Sequence, residues 1–316
     1  MTSAHCAPAP QVIWAPPIRR FESCEAAVQA IANYQEALRE AASRRRSNGQ
    51  TVTDQDQPEE VFCLSPAWSK LPPLAIVGGM GPLAGALAFG KACARFKDSR
   101  AVVLYQACSM PDRSMVILGQ GAPNTISSRE MALRLAGAVR LASDLAAPLG
   151  EPARCIIACN SAHCFWQMVK DDLRQTAARP QMISLVDSSV QALISQSPTR
   201  TLLLTTEGAR VGNVFSTPLR DAGVAFDELS PALSRTLMKT VYEGVKALDE
   251  RRTVELGNEL FEAILQSGQT YDCLLAGCTE LPLTIDLLKR KGSQAVAAFL
   301  WRVRVVDPLE EAFRHA

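Results

Sequence analysis

The chain has 316 residues, with 33 lysines and arginines against 32 aspartates and glutamates and a formal net charge of +1. That length exceeds the usual one-domain size and allows one large or two modest cores, and the balanced charge gives no general attraction to nucleic acid or to an anionic membrane. Ten cysteines scattered through apolar and mixed surroundings point to the reducing cytoplasm, no apolar run reaches the length of a membrane span, and the start lacks the pattern of a secretory signal.

Residues 1 to 18 hold Pro8, Pro10, Pro16 and Pro17 without periodicity, the pattern of a disordered or extended lead. From about Phe21 to Arg45 there is no Gly or Pro, and Val28, Ile31, Gln35 and Leu38 trace one face of an expected amphipathic helix. Arg44-Arg45-Arg46 suits the negative pole of that helix and reads as a solvated end. Residues 47 to 60 are polar and turn-rich and read as a linker. Residues 1–70 are thus expected to be an N-terminal extension, accessory to a core that begins after Pro73. Whether it serves as a delivery signal for export, a docking arm or a dimer contact stays open.

Beyond it, strands are expected at Leu74 to Val77, Ala101 to Gln106, Arg154 to Ala158, Met182 to Leu185, Thr201 to Leu204, Cys273 to Ala276 and Val303 to Val306, most of them separated by helix-length segments. Apolar runs of this kind predict an α/β fold whose parallel-rich sheets are covered by helices on both faces.

Two of these strands run into Cys159-Asn160-Ser161-Ala162-His163 and Gly277-Cys278-Thr279-Glu280-Leu281. A strand that ends in a thiol and turns into a helix aims that thiol at the crevice beyond the carboxyl ends of the sheet. Two such thiols suit proton transfer at a carbon reached from both faces, because one base removes the α-hydrogen while the other supplies its replacement. A helix N-terminus or a nearby cation lowers a thiol from its free pKa of about 8.5. Cys93, Cys108, Cys155, Cys164 and Cys273 read instead as small core residues. Cys159 and His163, four apart, also allow a Cys-His nucleophile pair or half a metal site, although no third orienting group and no compact zinc-ligand spacing accompanies them.

The first core strand leads into Gly78-Gly79-Met80-Gly81-Pro82. Gly79, Gly81 and Ala84 satisfy a dinucleotide-binding pattern, but no acidic residue closes the next strand, and no Gly-Lys-Ser/Thr follows for a phosphate loop. The alternative is a tight turn, with Pro82 in the first turn of the helix, whose backbone donors at Met80 and Gly81 hold a substrate carboxylate.

Gly78-Gly79-Met80-Gly81-Pro82, Pro111-Asp112-Arg113-Ser114, Cys159-Asn160-Ser161-Ala162-His163, Tyr242-Glu243-Gly244-Val245-Lys246 and Gly277-Cys278-Thr279-Glu280-Leu281 together resemble the aspartate racemase branch of the aspartate/glutamate racemase superfamily, from about Leu74 to Pro308. The resemblance implies two similar α/β lobes with the active site in the cleft between them, one lobe formed by 71–181 plus 291–316 and the other by 182–290. It also implies an amino-acid racemase that needs no cofactor and no metal, with Cys159 and Cys278 as catalytic bases. Its substrate would be a small dicarboxylic amino acid, aspartate or glutamate, and its assembly a homodimer.

Arg113 would hold the side-chain carboxylate with help from Lys246, since a planar guanidinium grips a carboxylate in two places. Asn160, Ser161, Thr206 and Thr279 would face the α-carboxylate, or else only cap helices. Glu280 reads as a supporting acid in the first helical turn. Serine stands at 161 where the family usually has threonine, a mild departure because the hydroxyl is kept. Segments 146 to 153 and 289 to 304 look lengthened relative to the family. Alternatives are a related isomerase on the same fold, such as maleate isomerase, or an inactive amino-acid-binding or regulatory protein. Two cysteines disfavour the superfamily's single-thiol arylmalonate decarboxylases, and Arg113 disfavours its hydantoin racemases.

Overall fold

Apolar runs with no exposed side form the middles of two separate sheets in the computed structural model, which describes residues 16–119, 126–150, 153–175 and 180–316. The first sheet contains β1 (Ile18–Phe21), β2 (Glu60–Leu64), β3 (Leu71–Gly78), β4 (Arg100–Gln106), β5 (Arg154–Ile157) and β6 (Gln181–Ile183), in the spatial order β1-β2-β4-β3-β5-β6. The second contains β7 (Thr201–Leu203), β8 (Phe226–Glu228), β9 (Cys273–Leu275) and β10 (Arg304–Val306), in the order β10-β9-β7-β8. Every pairing is parallel except that of β2 with β4. Leu74 to Val77 of β3 and Ala101 to Leu104 of β4 are buried throughout, which is why these strands read as continuous apolar runs and not as alternation.

Helices cover both faces of each sheet. In the first lobe α1 (Cys24–Ser47) and α2 (Pro82–Phe96) lie on one side with Phe62, Phe89 and Leu104. A short α3 (Arg113–Leu118) follows β4, and α4 (Ser128–Ala146) and α5 (Trp166–Leu173) cover the other side with Val77, Val103 and Ile157. In the second lobe α6 (Leu185–Gln196) and α8 (Ser216–Asp221) pack on one face, with α7 (Glu207–Val211) between them in the chain. The opposite face carries α9 (Pro231–Lys239), α10 (Glu250–Gln266), α11 (Leu281–Lys291) and α12 (Gln294–Arg302). No described helix is long and apolar enough to cross a membrane.

Two expectations about the lobes change. The described part of the N-terminal extension is built into the first lobe. Ser23 caps α1 by accepting from the Ala26 N–H at 3.3 Å, and the buried face is Ala27, Ile31, Tyr34, Leu38 and Ala42, while Val28 is 37% exposed. Tyr34 meets Phe62 edge-on at 5.0 Å, and Ile31 lies against Gly90 of α2. β2, in and just after the span read as linker, adds antiparallel to β4 and carries β1 on its outer edge. α1, β1 and β2 thus pack on the first lobe as part of its sheet and core. The expectation for the proline-rich lead falls mainly on residues 1–15, outside the described residues, as do 151 and 152 of the lengthened connection.

The last strand also lies elsewhere than expected. β10 pairs with β9 in the second sheet, the usual outcome of a helical crossover between neighbouring parallel strands, and the stretched segment before it forms α12. Only α13 (Pro308–His315) crosses back, placing Leu309, Ala312 and Phe313 in the first core, with Phe313 edge-on to Phe96 at 6.2 Å.

Candidate active site

The chain leaves β5 and β9 in the same way. Cys159 donates its N–H to the Ile157 carbonyl at 2.8 Å, and Gly277 donates to Leu275 at 2.8 Å, tight three-residue turns of the kind common at strand ends. Gly277 is required there, because a Cβ would lie 2.6 Å from Thr205 Cγ2. The two turns face each other across the interlobe cleft, where Cys159 and Cys278 border the same opening of about 310 Å³. Cys155 and Cys273, inside the strands, are fully buried, and burial first of all pushes their thiols up to about 12 and about 11.

Met80, Arg113, Asn160, Ser161, Thr206, Lys246 and Thr279 line this cleft with the two cysteines. Gly81 does not. It borders an adjoining recess, with φ near +159° and the Glu280 carboxyl filling the space a side chain would need. The Glu280 carboxyl thus lies against the start of α2, where its buried Oε1 has no hydrogen-bond partner. Met80 contributes its carbonyl, which accepts from Arg113 Nη2 at 2.7 Å and Lys246 Nζ at 3.1 Å.

Arg113 starts α3 and is 4% exposed. It also donates to the Pro111 carbonyl at 2.8 Å, which fixes the guanidinium beside the cleft. Lys246 comes from the other lobe, at the end of a π-helical turn (Thr240–Val245), and its ammonium lies 5.1 Å from the Tyr242 ring centre. Close approach of the lobes here depends on Gly208, since a Cβ would sit 2.7 Å from Ser114 Cα.

The polar groups fall into two kinds. Ser161 and Thr206 share a hydrogen bond of 2.9 Å across the lobes, and Thr206 also caps α7 by accepting from Ala209 at 3.3 Å. Asn160 is 2% exposed, and both its amide nitrogen and its oxygen are buried with no hydrogen-bond partner. An unmatched buried amide costs about 1–3 kcal/mol, so Asn160 is poised to accept and donate to a bound molecule.

Tyr242 and Asp112 are functional neighbours that the motif reading passed over, although they stand in the same motifs as Lys246 and Arg113. The Tyr242 hydroxyl donates to Asp112 Oδ2 at 2.7 Å, joining the lobes. Burial alone would raise the Asp112 carboxyl, but Arg113, Lys246, Tyr242 and the Met115 N–H together hold it below the usual carboxylate range.

Glu280 is closer to the chemistry than a helix-start acid need be. It is 3% exposed, and its Oε2 accepts from Cys278 Sγ at 2.9 Å and Thr279 Oγ1 at 3.1 Å. Burial, and then the Glu280 charge, push the Cys278 thiol well above its ordinary value. His163 braces the other turn. Its Nε2 accepts from the Leu185 N–H at 3.1 Å, so Nδ1 carries the hydrogen and donates to the Cys159 carbonyl at 3.0 Å. Burial lowers this imidazole to about 4. With both ring nitrogens used, His163 ties the Cys159 turn to α6, and neither a nucleophile pair nor half a metal site forms with Cys159.

The family model described as Asp/Glu/Hydantoin racemase matches residues 77–316, a span that includes every residue of this cleft. The chain belongs to the Asp/Glu/Hydantoin racemase family. Among solved structures it is similar to the aspartate racemase of Picrophilus torridus, at 19% identity and a TM-score of 0.58 over 77% of this chain and 92% of that one. A putative Asp/Glu racemase from Yersinia pestis aligns at 14% identity and a TM-score of 0.53 over 78% and 97% of the respective chains. At these identities the shared property is the racemase-family fold, with α1, β1 and β2 of this chain preceding the span matched by the family model.

Proposed function

We propose that this protein racemises a dicarboxylic amino acid, aspartate or glutamate, without a cofactor, using Cys159 and Cys278 as the two proton-transfer groups. The observation that carries the reading is the meeting of two strand-end thiols, one from each lobe, in a cleft that also holds Arg113 and Lys246. The pocket lining pairs two cations, Arg113 and Lys246, with two carboxylates, Asp112 and Glu280; with Asp112 accepting from the Tyr242 hydroxyl and Glu280 from Cys278, the cations would suit a substrate that brings two carboxylates of its own. Arg113 and Lys246 would attract the distal one, and Asn160, with Ser161 and Thr279, would receive the α-carboxylate and α-amino groups.

The reaction needs one thiolate and one thiol at the start of each turnover. Cys278, buried and hydrogen-bonded to Glu280, suits the thiol, leaving the base role to Cys159 for the enantiomer that meets it first. Abstraction by Cys159 and donation by Cys278 invert the α-carbon. Cys278 then stands as a thiolate and Cys159 as a thiol, the state that accepts the opposite enantiomer. Turnover of the opposite enantiomer would return the pair to its starting state; otherwise the Cys159 thiol would lose its proton to water while the Cys278 thiolate gains one from water, passed on by Glu280 across its 2.9 Å contact with the sulfur.

The test is incubation of the full chain with L- and D-aspartate and L- and D-glutamate, without added cofactor, followed by chiral chromatography. Conversion of one pair toward equal amounts of both enantiomers is expected. A folded protein that interconverts neither pair would contradict the proposal.

A further inference from the structure

The segment joining α1 to β2 precedes the span matched by the family model, yet it forms part of the wall of the site. Val52, Thr53 and Gln55 face Asp112, Arg113, Tyr242 and Lys246 across an outer chamber of about 610 Å³ that is open to solvent. Arg113, Tyr242 and Lys246 also line the inner cleft that holds the thiols, so chamber and cleft join at the cations. Thr53 and Gln57 border the adjoining recess behind Gly81 and Glu280 as well.

This segment is fixed at both ends. Arg45 of α1 pairs with Asp56 at 2.9 Å, and the Asp56 carboxylate accepts from the Thr53 N–H at 3.0 Å and its hydroxyl at 2.8 Å. Arg46 reaches the second lobe and donates to the carbonyls of Ala247 and Leu248, next to Lys246. Neither arginine is therefore simply a solvated helix end. On the far side Glu59 accepts from the Tyr105 hydroxyl at 2.6 Å and the Ser109 N–H at 3.3 Å, in the loop that leads to Arg113. One exposed ion pair would hold little, but a turn closed on itself and tied to both lobes keeps its side chains over the mouth.

We propose that Val52 to Gln57 is a specificity-determining wall of the active site, and that Thr53 and Gln55 bound the distal end of the substrate, the end that Arg113 and Lys246 attract. Naming that end as a carboxylate rests on the function proposed above; the wall itself does not. Neutral hydrogen-bonding side chains at 53 and 55 add no charge beside Asp112, whereas an acid at 55 would put a second carboxylate next to the two cations and repel a carboxylate of the ligand.

The test uses the full chain carrying Gln55→Glu or Gln55→Ala. In racemisation, Gln55→Glu is expected to raise KM for the preferred amino acid about tenfold with kcat within about twofold, and Gln55→Ala to change the aspartate-to-glutamate ratio of kcat/KM about threefold. A second readout needs no turnover: alkylation of Cys159 and Cys278 by anionic iodoacetate and by neutral iodoacetamide, followed by peptide mass spectrometry. Gln55→Glu is expected to lower the iodoacetate-to-iodoacetamide rate ratio about threefold at low salt, and less at high salt. An unchanged ratio overturns the wall whether or not the parent turns over. Unchanged KM and preference in an active parent overturn its role in specificity. A parent that racemises nothing ends the functional reading alone, and the alkylation ratio still decides the wall.

Discussion

The Cys159 and Cys278 turns are built alike and equipped differently. Both follow a parallel strand through a 2.8 Å turn hydrogen bond and place a thiol at the same cleft. The Cys159 turn is held from behind by a neutral imidazole that bonds its carbonyl and the start of α6. The Cys278 turn has a buried carboxyl bonded to the sulfur itself. Two lobes of one architecture thus supply two thiols with different surroundings, and only the Cys278 thiol has a carboxyl beside it that raises its proton affinity. The racemase reading needs one thiol and one thiolate at a time, and Glu280 bears on which of the two holds the proton.

The largest expected effect comes from removing either thiol. Cys159→Ser and Cys278→Ser should each lower inversion by about a thousandfold or more, measured by chiral chromatography, because each removes one of two obligatory proton carriers. Full activity in both single variants would end the two-base mechanism.

Glu280→Gln tests the unequal equipment directly. It keeps the shape of the side chain and removes the charge, so inversion should fall about 10- to 100-fold. Because that charge helps to raise the Cys278 thiol, alkylation of Cys278 should begin at lower pH in the variant, while the profile of Cys159 stays in place. Peptide-resolved alkylation against pH gives both curves, and equal shifts in the two would show that Glu280 does not act on one thiol.

His163 sharpens the other side of the comparison. Its folded value of about 4 lies below the ordinary 6.5, so between those limits the unfolded chain binds a proton that the folded chain refuses. Folding stability should fall by roughly 3 kcal/mol as pH drops through that window. His163→Gln should be less stable at pH 7 and should show a shallower decline in Tm with acid, and an identical decline would contradict the assignment. The smallest effect is expected from Tyr242→Phe, which removes the 2.7 Å bond to Asp112 between the lobes. About 1 kcal/mol of stability and a several-fold loss in kcat/KM should follow, read by thermal melts and steady-state kinetics, with neither thiol's alkylation profile displaced.

Much of the fold was legible because buried parallel strands are written as unbroken apolar runs, as in Leu74 to Val77 and Cys273 to Leu275. Of the four edge strands, β6 and β10 keep a short apolar run, but β1 and β8 carry no such signature. β1 is Ile-Arg-Arg-Phe and β8 is Phe-Asp-Glu, and both owe their conformation to a neighbour's hydrogen bonds. β2 follows Glu59 and opens on Glu60 at the end of a polar stretch, and it gains its identity from β4. The face of α1 was misread by part of a turn because Ala27 and Ala42, small enough for close packing, signal less than Val28 does.

In the candidate site, residues with chemistry of their own could be read from motif and position. What could not be read was which group occupies which partner. That Gly81 yields to Glu280, that the Met80 carbonyl gathers two cations, and that His163 spends both nitrogens on backbone groups all depend on contacts between segments far apart in the chain.

The most direct test of the central claim, two thiols facing one α-carbon from opposite sides, is α-proton exchange in heavy water by the two single variants, followed by NMR on each enantiomer separately. A lone remaining thiol can remove and return a proton on its own face only. Cys159→Ser should therefore incorporate deuterium into one enantiomer without inversion, and Cys278→Ser into the other. Exchange of the same enantiomer by both variants would place both thiols on one face and contradict the account.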